Sequence, residues 1–191
     1  VVNDTFRPTK SLLSGLPDGV TFKSLRQAAL ENDPIVANNY GRIAPLSNSA
    51  VALNTLLVQD GVLIHIARGV KLEKPLQLVN IFSSPIPMMA PRRVLIVLEE
   101  GASAKLLTCD HTQDHTNGYL SSEVIEVVLG AGSCFDYYTI EESSPLTTRH
   151  NNIFCRQQQH AKFASGTITL TCGTTRNNFC IELRGEGADC R

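Results

Sequence analysis

The chain has 191 residues, with seventeen Lys and Arg against eighteen Asp and Glu, a formal charge of −1 and 42% hydrophobic residues. That apolar content supports a packed core and excludes wholesale disorder, and the near-neutral balance argues against a nucleic-acid binder that works by neutralising phosphates. A chain of this length folds without metal or disulfide staples and forms one domain, with room for a small appendage.

Residues 1–60 read as a helical N-terminal segment. Thr21 is expected to cap a helix over 22–31, with Phe22, Leu25, Ala28 and Ala29 on one face and Asn32-Asp33-Pro34 as its stop. Asp33 then caps a second short helix with Pro34 in its first turn, ending near Gly41. A third is expected over 49–58, with Leu53, Leu56 and Leu57 as its apolar stripe.

From Val62 the period changes. Residues 62–66, 70–72, 76–81, 94–98 and 124–128 are short, β-branched or Leu-rich runs bounded by turn residues. No helical pattern separates them, which argues against βαβ units. Small-residue corners recur at Ala102, Gly132, His160 and Gly187, roughly 27 to 30 residues apart, in the range that marks solenoids. Stacked coils would bury an interior that one coil cannot cover alone. The fold expected is mainly β, a right-handed parallel β-helix over 61–191 behind the 1–60 cap. A β-sandwich would need closer hairpin signals than the single Asn117-Gly118.

The chain carries no apolar run of membrane-spanning length and no signal-peptide pattern. It lacks an initiating Met and reads as either a processed product or an excised piece of a longer protein, the latter preferred. Its six cysteines, at 109, 134, 155, 172, 180 and 190, form no C-x-x-C pair and read as free thiols in a reducing cytoplasm.

Candidate chemistry is sparse. Cys109 and His111 share a strand face, and with His115 they form the one local trio with metal-ligand character, short of the three or four groups in defined geometry that a metal needs. The four cysteines from 155 onward suit core thiols better than a persulfide carrier or cluster ligands. His65, His150 and His160 sit in no nucleophile motif. Glu99-Glu100 and Glu141-Glu142 read as solvated corners. A glycosidase would need two carboxyls about 5–9 Å apart across a cleft, which spacing along the chain cannot show, and the same holds for Arg92-Arg93. No phosphate-binding loop is present.

An ordered series of segments resembles the SufB/SufD family: Leu53-Asn54-Thr55, Asp60-Gly61-Val62, Gly69-Val70, Lys74-Pro75-Leu76, Pro91-Arg92-Arg93-Val94, Glu100-Gly101-Ala102, Glu126, Arg149-His150-Asn151, Arg176-Asn177 and Glu182 through Ala188. It covers nearly the whole chain and looks closer to SufD. The resemblance implies a right-handed parallel β-helix, and a non-enzymatic scaffold of iron–sulfur cluster assembly by the SUF system, working with SufB and the ATPase SufC. It implies that the cluster belongs to the full complex and that this piece binds no cofactor. The family's later Cys/His segment and its SufC-docking helices have no matching positions here, so no catalytic or metal residue is carried over. With the last coils bare, self-association through them is expected. The alternative is a carbohydrate-active, pectate-lyase-like β-helix, which an absent export signal, absent Trp and 6% aromatic content disfavour.

Overall fold

The computed structural model describes residues 1–191 as a parallel β-solenoid of about four turns. Its strands are β1 (Val20–Ser24), β2 (Gly61–Ile66), β3 (Leu76–Phe82), β4 (Met88–Leu98), β5 (Ser103–Thr112), β6 (Tyr119–Leu129), β7 (Cys134–Glu142), β8 (Thr147–Gln157), β9 (Lys162–Thr171), β10 (Thr174–Leu183) and β11 (Asp189–Cys190). One sheet runs β1-β2-β4-β6-β8-β10 and the other β11-β9-β7-β5-β3. Every pairing among the coils is parallel, and only β1 joins antiparallel, against β2. The expected runs at 62–66, 76–81, 94–98 and 124–128 all lie in strands, whereas 70–72 contributes only the bridge of Lys71 to Ser103.

Each coil turns tightly at one side. Gly69, Gly101, Gly132, His160 and Gly187 hold φ between 55° and 70°, the left-handed region that glycine enters without a Cβ clash. The corners also bond to one another. Gly69 N donates to Glu100 O, Gly101 N to Ala131 O, Gly132 N to Gln159 O and His160 N to Glu186 O, at 2.8–2.9 Å. The corner repeat in the sequence is therefore a hydrogen-bonded column.

Strand alternation fills the interior. Val62, Val94, Ile125 and Ile153 form one inward column, and Ile64, Ile96, Val127 and Cys155 the next. Phe135 and Phe163 stack opposite them with ring centroids 6.0 Å apart. Burying each such aliphatic side chain contributes about 1.5–3 kcal/mol.

Residues 20–24 differ from expectation. They are not the first turn of a helix but β1, in which Thr21 opposes His65 and Phe22 opposes Ile64. The open edge of β2 recruits this β-branched, aromatic stretch, and Phe22 and Phe6 plug the first coil with ring centroids 5.9 Å apart. The helix follows as α1 (Leu25–Leu30), capped by Ser24, whose Oγ accepts from Gln27 N. α2 (Pro34–Asn39) is capped by Asp33 as expected.

The helices do not close the end of the solenoid. They lie on the outer face of the β2-β4-β6-β8 sheet, where Leu25, Ala28 and Val36 pack on Leu63, Leu95 and Val97. In α3 (Ser49–Leu57) the expected stripe faces outward, with Leu53, Leu56 and Leu57 exposed by 47%, 78% and 38%. The buried residues are Val51 and Asn54, because the coil beneath offers backbone carbonyls as well as apolar surface. Asn54 Nδ2 donates to Arg92 O on β4 and Ser122 O on β6, at 3.1 and 2.8 Å, tying two coils together.

Candidate functional site

Past the apolar columns the same strands turn polar inside the coil. Arg92, Glu123 and Asn151 stand in one inward column and Asp110 and Glu141 in a facing one, with Arg149 beside Asn151 on β8. All six are buried. Arg92 Nη2 donates to Asp110 Oδ1 at 2.9 Å and to Ser121 Oγ at 3.0 Å, and its guanidinium lies 5.1 Å from the Phe82 ring centre. Arg149 is the hub. Its Nη2 lies 2.6 Å from Asp110 Oδ2, close as an ion pair though not aligned as a hydrogen bond, and 3.4 Å from Glu123 Oε2. Its Nη1 lies 3.6 Å from Glu141 Oε2.

Two guanidinium groups thus face three carboxyls in a buried interior. Burial would push the Asp110 carboxyl up, but Arg149 and Arg92, helped by Asn80, hold it below the usual aspartate range. Burial would likewise lower the Arg149 guanidinium, and Asp110, Glu123 and Glu141 instead raise it. The Tyr137 hydroxyl is raised by burial and by Glu123. Arg92 Nη1, Thr108 Oγ1 and Glu141 Oε1 have no protein partner, capacity of the kind that ordered water fills. Towards the last coil, Thr175 Oγ1 donates to Glu141 Oε2 at 2.9 Å and lies 3.0 Å from Cys172 Sγ.

Arg93, the next residue, points the opposite way. On the outer face its Nη2 donates to Glu126 Oε2 at 2.7 Å and its Nη1 to Thr55 Oγ1 at 3.1 Å, while its guanidinium stacks 4.9 Å from the Tyr40 ring centre. Glu126 also accepts from the backbone N–H of Gly41, Ile43 and Ala44. The pair therefore fixes the link between α2 and α3 on the solenoid.

Cys109 and His111 do share the outer face of β5, but each has its own neighbour. Gln77 Nε2 lies 3.5 Å from Cys109 Sγ, and His111 Nδ1 lies 3.5 Å from Glu142 Oε2. His115 is in the link between β5 and β6, and no group of three or more His, Cys, Asp or Glu has metal-holding geometry. All six cysteines are unpaired. Cys155 belongs to the core and the half-buried Cys190 packs against it, and burial raises both thiols.

The three histidines weighed as bases lie apart. His65 Nε2 is 3.0 Å from Glu99 Oε1, His150 is on β8 and His160 is a corner residue. Glu99 and Glu100 form a partnered corner with His65 and Arg68. Glu141 corrects the expectation of a solvated corner: β7 carries it inward, while Glu142 stays exposed. Spacing along the chain pointed to none of Arg92, Glu123 and Arg149 as a cluster. The available signal was charge at alternating positions of strands whose other inward positions are aliphatic.

Two family models match. The SufBD protein N-terminal region covers residues 1–78, and the SufBD core domain of SUF-system FeS cluster assembly covers residues 81–191. Among curated proteins, the chain is 29% identical over 179 residues to the iron–sulfur cluster assembly protein SufB of Bacillus subtilis. It is 29% and 28% identical, over 175 residues each, to iron–sulfur cluster assembly SufBD family proteins of Staphylococcus haemolyticus and Staphylococcus aureus. Each alignment takes in 89% of this chain, which spans 37% of the length of these relatives. With the core model laid over the solenoid from the end of β3 through β11, the chain belongs to the SufBD family of the SUF iron–sulfur cluster assembly system.

Proposed function

We propose that the protein is a SufD-like scaffold subunit of the SUF machinery, non-catalytic itself, that acts in the cytoplasm beside SufB and the ATPase SufC. The observation that carries this reading is the core-domain match over residues 81–191. Supporting it, β10 and β11 stand at the edges of the two sheets, where further strands can pair. The inward residues Phe179 and Leu183 on β10 are 42% and 55% exposed there. The iron–sulfur cluster is cargo of the assembled complex in this reading. The family match favours it over the carbohydrate-active alternative.

The test is capture of purified SufB and SufC by the full-length protein that contains this chain. Retention of both is expected, and retention of neither removes the assignment. The 191-residue chain alone should self-associate through β10 and β11, so its sedimentation coefficient should rise with concentration. A strict monomer at high concentration contradicts that part.

A further inference from the structure

A pocket of about 310 Å³ opens on the helical side of the solenoid, and all of its walls come from residues 25–60 and 93. Arg93 of β4 lines it from the sheet, α1 and α2 from the sides, and the link from α3 to β2 closes it. Leu25, Val36, Tyr40 and Val58 make the lining mainly apolar. Leu25 and Val36 are also packed on Leu63, Leu95 and Val97, so the core sets the position of these walls.

Three charged residues line the pocket, Arg26, Asp60 and Arg93. The carboxylate is already occupied. Asp60 Oδ1 accepts from Ser24 Oγ at 2.8 Å and from Arg26 N at 3.1 Å, and its Oδ2 accepts from Phe6 N at 3.1 Å. The guanidinium groups are not fully used. Arg93 is paired with Glu126, but its Nε has no partner. Arg26 is exposed on α1, and only its backbone N–H is engaged, on Asp60. The lining therefore offers unmatched cationic donors beside an apolar space.

We propose that this pocket binds a small aromatic carboxylate. Its volume stands at the lower end of the roughly 300–1,000 Å³ of small-molecule pockets, which suits a ligand of one or two rings. The ring fills the apolar space beside Tyr40. The carboxylate stays at the rim, where the planar Arg26 guanidinium can take both of its oxygens. Arg26 and Arg93 together disfavour a cation, and a purely apolar molecule leaves their free N–H groups unmatched.

The probe is sodium 2-naphthoate, titrated by isothermal calorimetry into the full-length protein that contains this chain, with 2-naphthamide as its uncharged match. Naphthoate should bind, and about three-fold or more tighter than the amide. Arg26→Gln changes an exposed side chain and keeps the backbone N–H that Asp60 accepts, so it should erase that preference and leave the amide's affinity unchanged. Ala29→Trp, exposed on α1 and lining the same pocket, should fill the mouth and remove binding of both ligands, with circular dichroism showing that the variant is folded. The proposal is overturned if naphthoate does not bind, if the amide binds as tightly, or if Arg26→Gln leaves the preference intact. It is equally overturned if folded Ala29→Trp still binds naphthoate, because the ligand then sits elsewhere.

Discussion

Arg92 and Arg93 are neighbours in the chain and belong to different environments. Arg92 points into the coil, among carboxyls that reach it from other turns of the solenoid. Arg93 points out, onto a single glutamate that gathers backbone N–H groups from a loop. Both are buried and both are paired. The inner cluster joins the coils to each other, whereas the outer pair joins the helical segment to the coils. A one-residue step along a strand separates the two tasks.

That contrast can be tested by breaking each side. Arg149→Met should have the largest effect, since it leaves Asp110, Glu123 and Glu141 facing Arg92 alone. Removing one partner of a buried ion pair costs about 3–5 kcal/mol, so urea denaturation should show the whole solenoid loosened or unfolded. An equally stable Arg149→Met protein would mean that the inner network does not tie the coils.

Acidification probes the same network with the sequence intact. The folded Asp110 carboxyl titrates below its unfolded value, so its stabilisation is complete above about pH 4 and is lost as pH falls through the lower folded value. Tyr137 works in the other direction. Its folded hydroxyl titrates higher, so stability falls as pH rises past the unfolded value of about 10. Urea midpoints across pH should decline at both extremes, and Tyr137→Phe should remove the tyrosine part of the alkaline decline.

Glu126→Gln should cost less, about 1.5–3 kcal/mol for weakened charge-assisted hydrogen bonds, and the damage should be local. Hydrogen exchange should speed up at Gly41, Ile43 and Ala44 while amides of β4 and β6 keep their protection. Exchange rising equally in the strands would erase the distinction between the two sites. Smallest of all, Leu56→Glu should change stability by less than about 0.5 kcal/mol, because the side chain stands in the open. A larger loss in thermal denaturation would restore the stripe first expected for α3.

The solenoid was legible because strand and corner signals recur with its coil, and their period survives local errors. Asp33 and Pro34 marked α2 in the same local way. The start of α1 was misplaced because the edge of β2 claims residues 20–24, a long-range effect that no local pattern announces. Ser24 and Gln27 nevertheless form a Ser-x-x-Gln capping signal three residues further on. The stripe on α3 failed for a related reason, since Asn54 finds two carbonyls on separate coils. The inner cluster draws residues from five strands, so its members converge only when the register is known. Glu141 looked like half of a surface pair until strand parity divided it from Glu142.

The column of left-handed corners carries a consequence for how such a protein can change length. Each corner hands its N–H to the carbonyl of the following one, so the solenoid has a natural quantum of growth. Gain or loss of one complete turn preserves every inward and outward assignment, whereas insertion of a single residue within a strand reverses the parity of all that follows in it. Lineages can therefore lengthen or shorten this architecture in whole steps, while fractional steps must be confined to the links opposite the corners.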